Sequence, residues 1–360
     1  MKRYSYLLIF CISLFSKFSF SQDYLHYFKE VARAEVDILD SNYSQAIKTY
    51  DELFRNYDFV FPKDALVAAQ VAAFEKDAER CIEFLKIGVK NGLPPSSIMR
   101  NPHFYRLSNS TDQNTPDWTE TTFFDSLVYL NKQRINQQYR DTIIEMVKED
   151  QYLRDKNETF LNAVIFNHKL KPRLYKKWMA QAHQQAHTVL EFTKEYGFPS
   201  HKVIGTHRSE DYSKFGTNYS SSYATIILYH YDFAWQILKD ELPEQLKKGN
   251  INPKQYALLR DFATRHYLFG KVEDEAYSDY HYFVRWTHNE TKLNDEKRED
   301  RKQWIEENKT AIDLSRDSIG LLPYDYGIKM RFNQWGFNRN RDSLKSTPLP
   351  YFDFNYWGWD

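Results

Sequence analysis

Residues 224–238 most constrain what this chain can fold into, because they form an apolar run that no polar face interrupts. The run reads Ala-Thr-Ile-Ile-Leu-Tyr-His-Tyr-Asp-Phe-Ala-Trp-Gln-Ile-Leu, and its strongly polar members are only His230, Asp232 and Gln236. A helix that is apolar on every side has to be covered on every side by its domain. Polar groups that it carries inward need hydrogen-bond partners. The run therefore predicts a buried central helix that gathers polar side chains from neighbouring segments.

Length and charge limit the classes of protein to consider. A chain of 360 residues is long enough for about two domains with cores of their own. Its formal net charge is zero, so no overall field attracts it to nucleic acid or anionic lipid. Aromatic residues make up 17% of the chain, which argues against disorder. The composition indicates a folded protein without a nucleic-acid partner.

The first 21 residues have the pattern of a signal peptide. Lys2 and Arg3 supply the positive start, and the apolar run 4–15 is too short to span a bilayer. Ser19 and Ser21 are small residues at the positions that a signal peptidase reads, which places cleavage before Gln22. The mature protein is therefore expected to be periplasmic or secreted, and no later run predicts a transmembrane segment.

Removal of that segment leaves Cys81 as the one cysteine, so no internal disulfide can form. Cys81 shares a helical face with Ala78, Ile82 and Leu85, and this pattern favours an inert buried thiol over a nucleophile. The chain has no Gly-x-Gly-x-x-Gly, Walker-type or Gly-x-Ser-x-Gly motif and no cysteine pair for zinc or an iron–sulfur cluster. We predict no cofactor.

Residues 22–107 predict consecutive helical hairpins. The stretches 41–50 and 76–85 superimpose at an offset of 35 residues, with apolar side chains at equivalent positions. This spacing is close to that of tetratricopeptide repeats, which the segment resembles. Residues 108–119 are polar and rich in turn formers, and they are the predicted linker.

Residues 120–330 predict a larger helical domain. Its helices are expected from apolar periodicity and from Gly and Pro stop signals, at about 123–155, 174–196, 224–238, 255–268 and 293–308. Residues 277–286 alternate enough to form a short strand pair or an irregular loop. The tail 331–360 is too aromatic to extend into water and should pack on the body or on a partner. The predicted fold class is all-α with minor irregular or strand elements.

Several spaced motifs resemble a bacterial family of unknown function, number 6624, whose secreted members commonly carry a helical-repeat segment ahead of the domain. The motifs, in chain order, are Asp150-Gln151-x-x-Arg154, Glu195-Tyr-Gly-Phe-Pro199, Val203-Ile-Gly205, His230-x-Asp232, Tyr256-Ala-Leu-Leu-x-Asp261 and Ile312-Asp-x-x-Arg316-x-x-Ile319-Gly-Leu-x-Pro323. The chain departs from the family pattern at Tyr229, Phe262, Tyr277–Tyr280 and Ala182-x-x-Gln185. The resemblance implies a fold and a candidate site, and it implies no reaction because the family has no assigned activity.

The candidate catalytic residues are His230, Asp232, Asp150, Arg154 and Asp261. His230 and Asp232 lie two positions apart and point to different faces of a helix, so their partners must come from other helices. His230 could act as a general base oriented by a carboxylate of Asp150 or Asp261. Arg154 or Arg265 would then bind an anionic substrate, with Gln151 and Arg260 as further binding candidates. The alternative is a satisfied buried histidine beside a structural Asp–Arg network.

Two further groups of polar residues have both a functional and a structural interpretation. His183, His187 and Glu191 share one helical face, as metal ligands can, although a solvated helix surface has the same pattern. The loop 205–211 brings His207 and Arg208 beside the start of the central run, where they could line a substrate lid or a solvated insertion.

Two functions remain open from the sequence. The first is an exported interaction or ligand-binding protein, whose helical repeats and aromatic tail would offer surfaces to an envelope protein or a peptide. The second is a hydrolase-like enzyme that uses His230 as general base in a helical pocket.

Overall fold

The computed structural model describes residues 22–108, 121–163, 171–206, 227–228, 231, 233–267, 295–347 and 349–354. Its α-helices and short 3₁₀ turns are joined by loops, and the described residues contain no strand. The all-α fold class is therefore confirmed.

The chain begins with two helical hairpins. They consist of α1 (Tyr24–Leu39), α2 (Tyr43–Asn56), α3 (Pro62–Phe74) and α4 (Ala78–Lys90). α1 packs against α2, and α3 packs against α4. The carboxylates of Asp23 and Asp77 accept hydrogen bonds from the backbone N–H groups of Leu25 and Arg80, both at 3.0 Å, and so cap α1 and α4.

Helix α3 is the most completely buried helix of the described part. Eleven of its thirteen residues are buried, and small alanines on several faces let its neighbours approach closely. It packs against α2 and α4, and also against α6 (Pro102–Ser108), which follows the short α5 (Pro95–Arg100). The sequence predicts a helix that is buried on every side at residues 224–238, and the structure has such a helix at α3 instead.

The predicted continuous helix over residues 224–238 is wrong. Residues 227–228 are helical, Tyr231 is not, and the helix α11 (Ala234–Leu238) begins only after a turn at Phe233. The backbone N–H of Tyr231 donates to Leu228 and that of Ala234 donates to Tyr231, so these bonds have turn spacing, not α-helical spacing. Ile227, Leu228 and Leu238 are nevertheless buried in the core.

The predicted single helix over 123–155 is also wrong. A 3₁₀ turn (Thr121–Phe124) leads into α7 (Asp125–Arg134), and a separate α8 (Gln137–Ala163) follows. The break lies at Asn136, whose side-chain oxygen accepts from the backbone N–H of Tyr139 at 2.9 Å as an N-cap does. The N–H of Asn136 itself donates to Val203 at 2.9 Å, so a tertiary contact fixes the break.

Further helices follow α8 in the middle of the chain. α9 (Lys171–Tyr196) ends before Gly197, which has φ 95°, and Gly-Phe-Pro stops the helix as the sequence predicts. The later helices are α10 (His201–Ile204), α12 (Leu242–Lys247) and α13 (Pro253–Tyr267). α9 packs against α8 and α11, and α11 packs against α13.

Two long helices and a non-helical segment complete the described chain. α14 (Asp295–Ser318) extends ten residues beyond the predicted end, and α15 (Tyr324–Arg339) was not predicted. A 3₁₀ turn (Ser343–Lys345) then leads to residues 349–354, which we call the terminal segment. None of the helices in the described part combines the length and apolar character needed to cross a bilayer.

One continuous core joins the two ends of the described chain. It runs from Tyr24 and Tyr27 of α1 through the apolar residues of α3 to Ile143 of α8 and Leu238 of α11. It also includes Phe352 and Phe354 of the terminal segment. A smaller apolar cluster of Ile305, Ile312 and Tyr324 holds α14 against α15.

Candidate functional site

The structure describes about half of the residues that the sequence nominates. Asp150, Gln151 and Arg154 lie on α8, whereas His183, His187 and Glu191 lie on α9. Arg260 lies on α13, where Asp261 and Arg265 belong to the helix but their side chains are outside the described part. The candidates His207, Arg208, His230 and Asp232 lie outside the described residues, as do the departures at Tyr229 and Tyr277–Tyr280.

Asp150 connects α8 to α9. Its side chain is 1% exposed, and its two carboxyl oxygens accept from Trp178 Nε1 at 2.8 Å and from Gln151 Nε2 at 2.9 Å. Gln151 is buried with it, and Arg154 is half-buried one turn further along the same face. These bonds give Asp150 a clear structural role in the contact between the two helices.

Arg260 has a packing contact in the same region. Its guanidinium lies over the ring of Trp235 at 5.1 Å, and that ring meets Tyr256 edge-on at 5.5 Å. This cation–π contact links α13 to α11.

His183 and His187 form a pair on the exposed face of α9. Their ring centroids are 4.6 Å apart, and His183 Nδ1 forms a hydrogen bond of 2.7 Å with the hydroxyl of Tyr231. Within the described part, no group of three His, Cys, Asp or Glu side chains is placed to hold a metal ion. Tyr231 is the residue between His230 and Asp232 in the sequence, so the segment that carries both candidates meets α9 at His183.

The Gly-Phe-Pro and Val-Ile-Gly motifs form a joint between the hairpins and the later helices. Arg140 of α8 is buried and donates to the carbonyls of Ile204 at 2.9 Å and Thr206 at 2.7 Å. The hydroxyl of Thr206 donates to the carbonyl of Gly92, just after α4, at 2.6 Å. On the other side, Phe198 donates its N–H to Gln245 of α12 at 3.1 Å. These hydrogen bonds thus hold the main chain of the two motifs in place between the hairpins and the later helices.

His201 is a buried histidine that sequence reasoning missed, and it lies inside this joint. Burial lowers its pKa to about 3, and the charges of Arg140 and Arg134 add to the effect. Arg134 donates to the carbonyls of His201 and Lys202, and its guanidinium lies 4.7 Å from the Phe59 ring. Lys202 places its ammonium 4.0 Å from the Tyr24 ring. Cations of the later helices therefore cover aromatic rings of the hairpins.

The terminal segment lies in a groove that the sequence did not predict. The groove is formed by side chains of α2, α3, α6 and α15, namely Tyr43, Gln70, Phe74, His103, Asn333 and Gln334. We refer to these six residues as the groove.

Side-chain amides of the groove hold the main chain of the terminal segment. Gln70 is fully buried; its Oε1 accepts from the N–H of Asp353 at 2.8 Å, and its Nε2 donates to the Asp353 carbonyl at 3.3 Å. Asn333 does the same with two residues, accepting from the N–H of Phe352 at 2.7 Å and donating to the Pro350 carbonyl at 2.8 Å. His103 Nε2 donates to the Tyr351 carbonyl at 2.7 Å.

Aromatic packing fixes the side chains of the terminal segment. The Phe352 ring stacks on His103 at 5.3 Å and meets Tyr43 and Phe74 edge-on at 5.8 and 5.6 Å. Phe354 meets Phe352 at 6.3 Å, and both side chains are 0% exposed. A tight turn, with the Phe354 N–H donating to the Phe352 carbonyl at 3.2 Å, is centred on Asp353.

Tyr351 rests on α15 where the helix has no side chain. A Cβ atom at Gly336 would lie 2.5 Å from the Tyr351 ring, which is closer than atoms can approach without displacement. Glycine at this position therefore lets the segment lie directly on the helix backbone.

A buried charged cluster lies at the start of α3. Lys63 Nζ is 2.7 Å from the carboxylate of Glu35, and the Tyr27 hydroxyl donates to Asp64 at 2.9 Å. Burial raises the pKa of Asp64 to about 6; the charge of Lys63 opposes this rise, and that of Glu35 adds to it. Burial would lower the pKa of Lys63, but the charges of Glu35, Asp64 and, more weakly, Asp353 raise it overall.

Comparison with protein-family profiles, with curated protein sequences and with solved structures finds no significant match to this chain. The resemblance to the bacterial family of unknown function therefore stays a prediction that rests on the spaced motifs.

Proposed function

We propose that this protein is an interaction protein that binds a short non-helical segment of polypeptide in the groove. The observation that carries the proposal is the way Gln70 and Asn333 each exchange a donor and an acceptor with the main chain of the terminal segment. Main-chain hydrogen bonds give affinity to any segment of suitable shape, and ring pockets add selectivity. The groove has both features.

The packing of the groove supports the same function. Gln70 comes from α3, whose other faces are enclosed by α2, α4 and α6, so the amide has little freedom to move. A binding group that is held rigidly loses little conformational entropy when it binds. The signal-peptide pattern of residues 1–21 makes an exported or envelope protein, or a peptide, the proposed partner.

Selection from a displayed library of random peptides on the purified chain tests the proposal. We expect enriched peptides with aromatic residues, whose binding is lost in an Asn333→Ala chain. Gln303→Ala is the matched control, because Gln303 is an exposed amide of α14 that bonds only within its helix among the described contacts. Enriched peptides that bind both chains equally well would place the interaction elsewhere and defeat the proposal.

A hydrolase that uses His230 remains the second candidate, and one observation favours it. Trp178 of α9 contacts Asp150, and His183 of the same helix contacts Tyr231, which is next to His230 in sequence. Five helical residues span roughly 7.5 Å, so α9 brings Asp150 and Tyr231 to nearby positions. Such closeness is the first requirement for a carboxylate that orients a histidine.

Hydrolysis of a panel of ester, phosphoester and peptide substrates tests this second candidate. We expect His230→Ala to abolish any turnover without lowering the melting temperature, while the exposed His26→Ala leaves turnover intact. Unchanged turnover in the His230→Ala chain, or a large loss of stability with no measurable activity in the parent, would reduce His230 to a packing role.

A further inference from the structure

The terminal segment shows which features a ligand of the groove needs. The contacts made by Gln70, Asn333 and His103 fall on main-chain atoms, so a different chain of the same shape can receive all of them. The side-chain contacts are more selective. Phe352 and Phe354 fill buried positions, whereas Pro350 is exposed.

An acidic residue lies between the two phenylalanines in the sequence of the terminal segment. Gln334 Nε2 donates to Asp353 Oδ1 at 3.0 Å. The Gln334 amide donor favours an acceptor such as a carboxylate at this position.

The main chain of the terminal segment is held as that of a ligand would be, by side chains of the helices, while Phe352 and Phe354 pack into the continuous core. It forms no helix, and its own internal hydrogen bond is the single tight turn at Asp353. All other described hydrogen bonds of its main chain go to the groove residues Gln70, His103 and Asn333. A segment held in this way can leave the groove while the helices keep their own backbone hydrogen bonds.

From these contacts we infer that the terminal segment is an exchangeable occupant that competes with the external ligand, and that this ligand is a peptide with an aromatic–acidic–aromatic sequence. This inference rests on the proposed function of the groove and adds its ligand class and its regulation. The apparent affinity for the external ligand is its intrinsic affinity multiplied by the fraction of time for which the chain's own segment leaves the groove open.

The test measures binding of the fluorescein-labelled peptide Leu-Pro-Tyr-Phe-Asp-Phe to the full chain by fluorescence anisotropy. A chain with Phe352→Ala and Phe354→Ala should bind this peptide at least about ten-fold more tightly than the parent chain, because its own segment competes poorly. The same peptide with its Asp replaced by Lys should lose most of that affinity. A scrambled peptide of the same composition is the control for non-specific aromatic binding.

A second measurement on the unaltered chain keeps the inference testable if the double variant does not fold. Excess peptide should accelerate amide hydrogen exchange in the chain's own residues 350–354, followed by mass spectrometry. Exchange in α9, which does not contribute to the groove, should stay unchanged.

Three outcomes would overturn the inference. The first is a folded double variant that takes up no peptide, and the second is equal binding of the Asp and Lys peptides. The third is a concentration-dependent dimer that dissociates when the peptide is added. That result would show that the groove binds the terminal segment of a second copy. If library peptides of other sequence still bind in an Asn333-dependent way, the ligand class is wrong and the proposed function stands.

Discussion

At the residue scale, Asp64 is the ionisable group that α3 shelters most. It is buried, it accepts from the Tyr27 hydroxyl, and the Glu35 carboxylate lies close enough to oppose its charge. Lys63 pairs with Glu35, so the cluster contains two carboxylates and one ammonium. The Tyr50 hydroxyl beside them is buried and has no hydrogen-bond partner in the described part. The protonation of Asp64 therefore controls how much unbalanced negative charge this part of the core carries.

The first prediction concerns the pH dependence of stability. The folded pKa of Asp64 is raised from 3.8 to about 6, so its contribution to stability is complete below pH 3.8 and is lost as the pH rises through 6. The loss amounts to about 3 kcal/mol for a shift of this size. Asp64→Asn removes the titration, so the urea midpoints of parent and variant should converge at pH 4 and separate at pH 7, with the variant more stable. Asp240→Asn, at an exposed position, is the control, and a constant difference across this range would contradict the assignment.

The second prediction concerns His201. Its folded pKa is lowered to about 3, so its contribution is present above the ordinary value of 6.5 and is lost as the pH falls toward 3. The ring should stay neutral in the folded protein down to pH 5, whereas in denaturant it should titrate near 6.5. Chemical shifts of the ring protons report both states. A titration of His201 above pH 5 in the folded chain would show that the joint admits water.

At the element scale, the sequence predicts helices well wherever a local signal ends them. The end of α9 follows from Gly197 and Pro199, and α12 has Pro243 in its first turn and Gly249 after its end. Asn136 divides the expected helix over 123–155, because its backbone N–H bonds to Val203 across the fold. A pattern of apolar residues in one segment contains no information about such a partner.

Only some of the residues that form these contacts could be nominated from the sequence, for the same reason. Asp150 was nominated, and the structure gives it two donors on α8 and α9. The groove was not nominated, because Gln70 and Asn333 are ordinary surface-type residues in any local window. Their role appears only when the terminal segment bonds Gln70 through Asp353, 283 positions later, and Asn333 through Pro350 and Phe352.

The third prediction concerns Gly336 of α15. Replacing glycine by alanine inside a helix ordinarily stabilises a protein by about 1 kcal/mol. Here the added Cβ would meet the Tyr351 ring at 2.5 Å, so Gly336→Ala should destabilise the chain by about 1–3 kcal/mol. Thermal unfolding measures the effect. A chain that carries both Gly336→Ala and Tyr351→Ala has room for the Cβ. If this double variant is no more stable than Gly336→Ala alone, the close approach to Tyr351 does not cause the loss of stability.

At the scale of the whole molecule, the continuous core predicts one unfolding transition. The hairpins contain no tryptophan, since the eight tryptophans of the chain all lie at position 118 or later, while Cys81 lies buried in α4. In a Cys11→Ser chain, thiol reactivity therefore reports the hairpins, and tryptophan fluorescence reports the rest. We expect both signals to change at the same urea concentration, because Phe352 and the joint at Thr206 tie the two parts together. Two separate midpoints would show that the hairpins unfold independently.

The separation in sequence between α3 and the terminal segment has a consequence for biosynthesis. A ribosome makes Gln70 long before Asp353, its main-chain partner, because 283 positions separate the two residues. Until Asp353 has been made, the first helices lack the contacts of Phe352 in their apolar interior, and the buried Gln70 amide lacks its two bonds to Asp353. The core around α3 can therefore be completed only late in synthesis, after the helices that enclose it have been made.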